Sequence, residues 1–416
     1  MEIFDSSTIL IIGGASAIGL YMAWSIGAND VANSMASAVG AKAISFKQAV
    51  LIAGVLNFLG AVFLGEHVVE TIKGGIIDVS MIPNSSILLI GFVSALLAAA
   101  MWVTLSTWYE MPISTTHSVI GALMGFGIVA SGYSCVQWGK VSSVAMSWVL
   151  SPLFGCILAF LIFKILVRLI FAKEHPVDAA KIVGPFIMGV TAFLIVSSLL
   201  LKTSLSETLG ITLFEDVMVY SAIIAVIVII LALFLLRNIH EKSVEDYATV
   251  EGIFRKLQIT TSCYVAFAHG ANDVANAIGP VAAIIPLAQT GEMDLASQVP
   301  YWLLAIGGIG ITIGCLTWGK RVMQTVGHRI TSLTNTRGFS VDFGAATTVL
   351  VASKLGLPIS TSHTVVGAVI GVGLARGLEA IDLGIIKKIV ISWLITLPVA
   401  AVTSVGIFLV LRWIFL

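Results

Sequence analysis

Eight stretches of this chain are apolar for long enough to cross about 30 Å of hydrocarbon, which takes about 20 residues of helix. They lie near residues 9–41, 48–65, 142–163, 182–201, 217–236, 257–290, 301–319 and 389–412. Inside a bilayer a backbone must satisfy its own hydrogen bonds, and runs of this kind do so as α-helices. Hydrophobic residues make up 58% of the 416 and charged residues 11%, with a mean hydropathy of +1.04, which excludes a water-soluble globule.

Two further apolar stretches, near 85–132 and 343–375, are each interrupted at the middle by Pro-Ile-Ser-Thr. The second divides into pieces of about 14 and 10 residues, too short to span separately, which predicts a re-entrant hairpin with its tip inside the membrane. The first is longer, with room for two full crossings instead. The expected fold is an all-α integral membrane protein with about 8 full crossings plus 2 hairpins, about 12 helical segments.

Lys and Arg total 22 against 22 Asp and Glu, so no net field argues for nucleic acid. Where each sign sits is more informative. Basic residues cluster in three loops, at Lys164, Arg168, Lys173 and Lys181, at Arg237, Lys242, Arg255 and Lys256, and at Lys320, Arg321, Arg329 and Arg337. The positive-inside rule assigns these to the cytoplasm. Loops between them carry Glu207, Glu215 and Asp216, then Glu292 and Asp294. One crossing between neighbours returns every basic loop to one side, places Lys42 and Lys47 inside, and leaves both termini outside. Glu241, Glu245, Asp246 and Glu251 dilute the middle loop, where the assignment rests on parity. Cys135, Cys156, Cys263 and Cys315 stand singly and read as packing residues. Glu2 and Asp5 precede the first run in place of a basic segment, so it is expected to stay as the first membrane helix.

Gly27-Ala28-Asn29-Asp30-Val31-Ala32-Asn33 recurs letter for letter from Gly270 to Asn276, an offset of 243. Pro112-Ile113-Ser114-Thr115-Thr116-His117-Ser118 recurs from Pro358 to Thr364 with two conservative exchanges, an offset of 246. The orientation count starts the first copy outside and the second inside. This is the pattern of an inverted-topology repeat. The expected units are a first repeat over 1–163, inserted helices and loops over 164–256, and a second repeat over 257–416. Two such halves suit an alternating-access transporter with a shared central site.

Asp30 and Asp273 fall within apolar segments, where an unpaired carboxylate costs about 2.5 to 3.5 kcal/mol. Each needs a partner. A structural carboxylate pairing with a buried base is one reading. Cation coordination is the other, favoured because Asn29, Asp30 and Asn33, and Asn272, Asp273 and Asn276, supply only hard oxygen ligands. Sodium or a proton is the natural occupant, with magnesium a further candidate. Gly27 and Gly270 allow a break in each helix that would expose carbonyls, although small residues also serve close helix packing.

In the second motif, proline suits a helix start, hydroxyls can cap it, and the first-turn N–H groups lack intrahelical partners. Two such ends would present Ser114, Thr115, Thr116, Ser360, Thr361 and Ser362 to a tetrahedral oxyanion such as phosphate or sulfate. The competing reading is a pair of kinks with hydroxyls bonded back to carbonyls. His117 and His363 follow directly, either as contacts to the anion, as proton relays or, more commonly, as packing donors. His269 replaces Ile26 of the first copy and gains no support from symmetry. Glu110 and Lys354 precede the two proline motifs and read as snorkelling side chains. A dianion beside two carboxylates requires cations between them, which would couple the fluxes.

The paired motifs, in two halves separated by an insertion, resemble the inorganic phosphate transporter family, often called PiT, over nearly the whole chain. The resemblance implies phosphate uptake by symport with sodium or protons, two inverted halves and a homodimer. By position it implies a site of Asn29, Asp30, Asn33, Ser114, Thr115, Thr116, Asn272, Asp273, Asn276, Ser360, Thr361 and Ser362. Phosphate would take the six hydroxyls with Asn33 and Asn276. Sodium would take Asn29, Asp30, Asn272, Asp273, Thr115 and Thr361. The large central loop of animal members is missing here, which points to a prokaryotic-type member in the plasma membrane. Sodium is then a co-substrate and no cofactor is expected. Relatives that carry metal-phosphate with protons, or sulfate, leave those alternatives open. An anion channel is a competitor of another class, and no nucleophile–base pair marks an enzyme.

Overall fold

The computed structural model describes residues 6–72, 76–202, 209–211, 213–237, 246–291, 299–354 and 360–416. Glu207, Glu241, Lys242, Glu245, Glu292 and Asp294 of the orientation count lie outside them, as do Pro358 and Ile359 of the second motif. Thirteen α-helices and no β-strand occur among the described residues. They are α1 Ser6–Gly40, α2 Phe46–Ile72, α3 Ser85–Trp108, α4 Thr115–Ser131, α5 Trp138–Leu166, α6 Pro176–Lys202 and α7 Phe214–Leu236. The series continues with α8 Asp246–Thr290, α9 Tyr301–Trp318, the short α10 Lys320–Gln324, α11 Asn335–Lys354, α12 Thr361–Arg376 and α13 Leu383–Phe415.

Each of the eight apolar runs returns as one long helix, and Ser85–Trp108 makes a ninth candidate span among the described residues. At 24 residues α3 is about 36 Å long, enough to cross, while α4 has 17. The second interrupted stretch has longer arms than its hydropathy suggests, with 20 residues in α11 and 16 in α12. Its first arm begins in the polar sequence Asn335-Thr336-Arg337, which no apolar window includes. Glu251 makes that start possible by accepting from Thr334 Oγ1 at 2.8 Å and from the Thr336 amide at 2.9 Å. At the far end, Gly377 takes a φ of +117° beyond Arg376, a backbone region that side chains resist.

The halves interlock. In the packing, α1 lies on α9 while α8 lies on α2, and α5 lies on α12 while α13 lies on α4, so each of these eight helices pairs with one from the other end of the sequence. The contacts are close because glycines face carbonyls. A Cβ on Gly367 or Gly371 would stand 2.2 or 2.1 Å from the Pro152 or Cys156 oxygen, and one on Gly121 or Gly125 would meet Leu397 or Ala401 in the same way. Small residues that let backbones approach are the usual device for holding helices together in lipid. The pair α6 and α7 sits at the side, and α7 leaves Ile223, Ile227, Ile230, Leu231 and Phe234 exposed, as expected of a face that meets acyl chains.

Gly371→Val should force α12 off α5 and cost about 1–3 kcal/mol, as overpacking does. Thermal unfolding in detergent should show a lower Tm for this variant, while Gly139→Ala, with no atom within 4 Å of its new Cβ, should leave Tm unchanged.

Candidate functional site

Asn29, Asp30 and Asn33 lie on α1, and the three-residue spacing of the last two puts them on one face. The Asn33 amide donates to Asp30 Oδ1 at 3.0 Å. α4 starts beside them. Ser114 is its N-cap and accepts from the His117 amide, and Thr115 donates to Asp30 Oδ2 at 2.9 Å. From the other half, α12 starts with Ser360 capping His363 in the same way. Ser362 donates to Asp30 Oδ1 at 3.2 Å and also lies 2.8 Å from the Asn33 amide. Asn276, on α8, donates to Thr116 Oγ1 at 3.1 Å and to Thr115 Oγ1 at 3.5 Å. Four helices from both halves thus converge on one carboxylate that is 4% exposed.

The second aspartate is held differently. Asp273 is equally buried and lies within Coulombic reach of Asp30, but its Oδ2 meets Nδ1 of His269, one helical turn earlier. Neither aspartate is bridged to a lysine or arginine among the described ion pairs. Asn29 and Thr115 are buried, whereas Asn272 is exposed and Thr361 half-buried, so the two copies differ in closure. The first hairpin seals its side through Asn29. Its amide donates to Thr107 Oγ1 at 2.9 Å and to the Met111 carbonyl at 3.1 Å, and its oxygen accepts from the Ile113 amide at 3.2 Å. The counterparts of Met111 and Ile113 lie outside the described residues.

The expected helix break at Gly27 and Gly270 is overturned, because α1 and α8 run through both motifs without interruption. In hydrocarbon a continuous helix satisfies its own backbone, and the freed groups that asparagine serves belong instead to the gap between α3 and α4. The glycines have a packing role. A Cβ on Gly27 would stand 1.9 Å from the Ile311 oxygen, and one on Gly270 would stand 2.1 Å from that of Asn57.

His117 and His363 face one another, with ring centroids 5.1 Å apart. Trp393 stacks on His363 at 3.9 Å and Trp148 lies 6.0 Å from His117, which makes a four-ring column between the two hairpins. Glu110 does not snorkel freely. It sits at the hairpin tip with a φ of +61° and pairs with Arg329 at 2.6 Å. The side chain of Lys354 lies outside the described residues.

Sequence reasoning passed over two groups. His269 and Asp273 stand four apart on one helix, a spacing that brings side chains together, and symmetry with Ile26 concealed it. Asp342 is 3% exposed and accepts from Ser37 Oγ at 2.5 Å and Ser262 Oγ at 2.6 Å. Asp342 stands directly before the apolar stretch at 343–375 and lies in neither repeated motif.

Carboxylate, amide and hydroxyl oxygens around Asp30 suit a hard cation. The hydroxyls, the amides and the starts of α4 and α12 suit an anion. Residues 26–404 match the phosphate transporter family. A protein of Thermococcus kodakarensis named as a phosphate permease is 54% identical over 95% of this chain and 96% of its own length. The chloroplastic inorganic phosphate transporter 2-1 of Arabidopsis thaliana is 39% identical over 95% of this chain and 71% of its own. A solved structure titled as the sodium-dependent phosphate transporter is 45% identical, with a TM-score of 0.88 over 98% of this chain and 100% of that one. By motif, by fold and by extent of match, the chain belongs to the phosphate transporter family.

Proposed function

We propose that this chain imports inorganic phosphate by symport with sodium, through alternating access at the site around Asp30. The observation that carries the reading is the shared carboxylate, which takes a hydroxyl from each hairpin, Thr115 on one side and Ser362 on the other. In this reading sodium is held by Asn29, Asp30, Asn272, Asp273, Thr115 and Thr361. Phosphate takes Ser114, Thr115, Thr116, Ser360, Thr361, Ser362, Asn33 and Asn276. Two carboxylates repel a dianion strongly in a low-dielectric site, so the anion binds well only with cations between. Each then favours the other by the same free energy, which is the coupling. The named function of the sodium-dependent neighbour supports the choice of ion. The halves over 1–163 and 257–416 act as inverted repeats, the protein works as a homodimer in the plasma membrane, and both termini lie outside.

One observation favours a second reading. His269 against Asp273 offers a group that can carry a proton where sodium would otherwise neutralise the acid. In proteoliposomes, replacing sodium by choline at fixed pH should collapse labelled phosphate uptake. Uptake that instead follows an imposed pH gradient without sodium would select proton coupling, and currents without accumulation would select a channel.

Asp30→Asn replaces a charged carboxylate ligand by a neutral amide. Because even indirect partners of a metal are worth about 10–100-fold in affinity, half-saturating sodium should rise by at least that range in uptake assays. Ser362→Ala removes one hydrogen-bond donor to the anion, worth about 1 kcal/mol, and should raise the KM for phosphate by about fivefold without abolishing sodium dependence.

A further inference from the structure

Trp102, Leu105 and Ser106 form one stripe of α3 that continues to Tyr109 at its C-cap, and Lys388, Ile391, Ser392 and Ile395 form the same spacing on α13. Between them lies a cavity of about 540 Å³, closed on its third side by Thr325 and Arg329 of the turn that follows α10. The groove is polar at one end and apolar at the other. Tyr109, Lys388 and Arg329 mark the polar end, and Trp102 and Ile395 mark the apolar end, about 10 Å away along seven helical residues. Trp102 is fixed there by its Nε1–H, which donates to Thr396 Oγ1 at 3.1 Å. Leu105, Ile391 and Ile395 are exposed, so the groove opens sideways toward the lipid.

At the polar end Arg329 is already balanced by Glu110, which leaves Lys388 as a cation with no carboxylate within ion-pair distance among the described residues. Lys387 adds a second exposed charge beside it. Thr325 is 2% exposed, and its hydroxyl has no hydrogen-bond partner among the described residues. A free phosphate dianion would leave oxygens against Leu105 and Ile391, an unfavourable burial of charge on apolar surface. A phosphodiester with an acyl chain matches both ends. We propose that this groove binds an anionic phospholipid from the leaflet on the side of the 320–337 loop, with its headgroup at Lys388 and its chain between α3 and α13. The occupant would touch Tyr109 and Met111, the hairpin tip whose carbonyl accepts from Asn29.

The inference stands on the groove alone, and its readout is lipid retention, so it survives or fails separately from the coupling ion. Native mass spectrometry of the full-length protein, offered equal phosphatidylglycerol and phosphatidylcholine, should show preferential retention of the anionic lipid. K388Q should reduce that preference by about fivefold, the value of one basic residue near a charged headgroup. I391W, which fills the groove with an indole, should lower retention of both lipids, and excess inorganic phosphate should change neither result. Equal retention of both lipids by the unsubstituted protein, a preference untouched by K388Q, or retention untouched by I391W would overturn the proposal. So would displacement of the lipid by inorganic phosphate, which would assign Lys388 to the anion pathway, or disulfide cross-linking between two copies of I395C.

Discussion

An ionised carboxylate inside a membrane protein must be met by donors or cations, and Asp30 meets that demand by drawing three other helices to one point. Thr115, Ser362 and Asn33 reach it directly, and Asn276 reaches it through Thr115. Two of these helices begin at the site, so their unpaired amides and capping hydroxyls are delivered to the same place. The interrupted helices and the buried acid therefore form one arrangement, since neither is tolerable in hydrocarbon without the other.

Holding that point requires helices from opposite halves to stay in close register. Glycines opposite carbonyls supply this, and they recur at equivalent positions, with Gly121 and Gly125 in one half and Gly367 and Gly371 in the other. The glycines of the first motif act in the same way. Gly27 and Gly270 read in the sequence as points of weakness in a helix, yet each is the place where another backbone passes. Small size, not conformational freedom, is what those positions use.

The duplicated scaffold carries unequal charges. His269 and Asp342 occur only in the second half, where the first has Ile26 and Leu96. Asp273 consequently pairs within its own helix, while Asp30 is shared across the molecule. Reading one motif by analogy with the other fails even at Asp30, which is reached by Thr115 and by Ser362, whereas the aligned partners are Thr361 and Thr116. It fails again for His269, which stands where the first copy has Ile26.

Apolar run length and the doubled motifs were enough to identify a helical membrane protein, its interrupted helices and the residue types at its centre, since hydrocarbon thickness and backbone hydrogen bonding act locally along the chain. The start of α11 was not legible in this way, because Glu251, 84 positions before Asn335, supplies the hydrogen bonds that permit it. Nor was the destination of Asn29, whose partners at Thr107, Met111 and Ile113 are set by where α3 ends. Partnership between distant side chains depends on how helices cross, and a crossing is fixed by packing surfaces that no single segment contains.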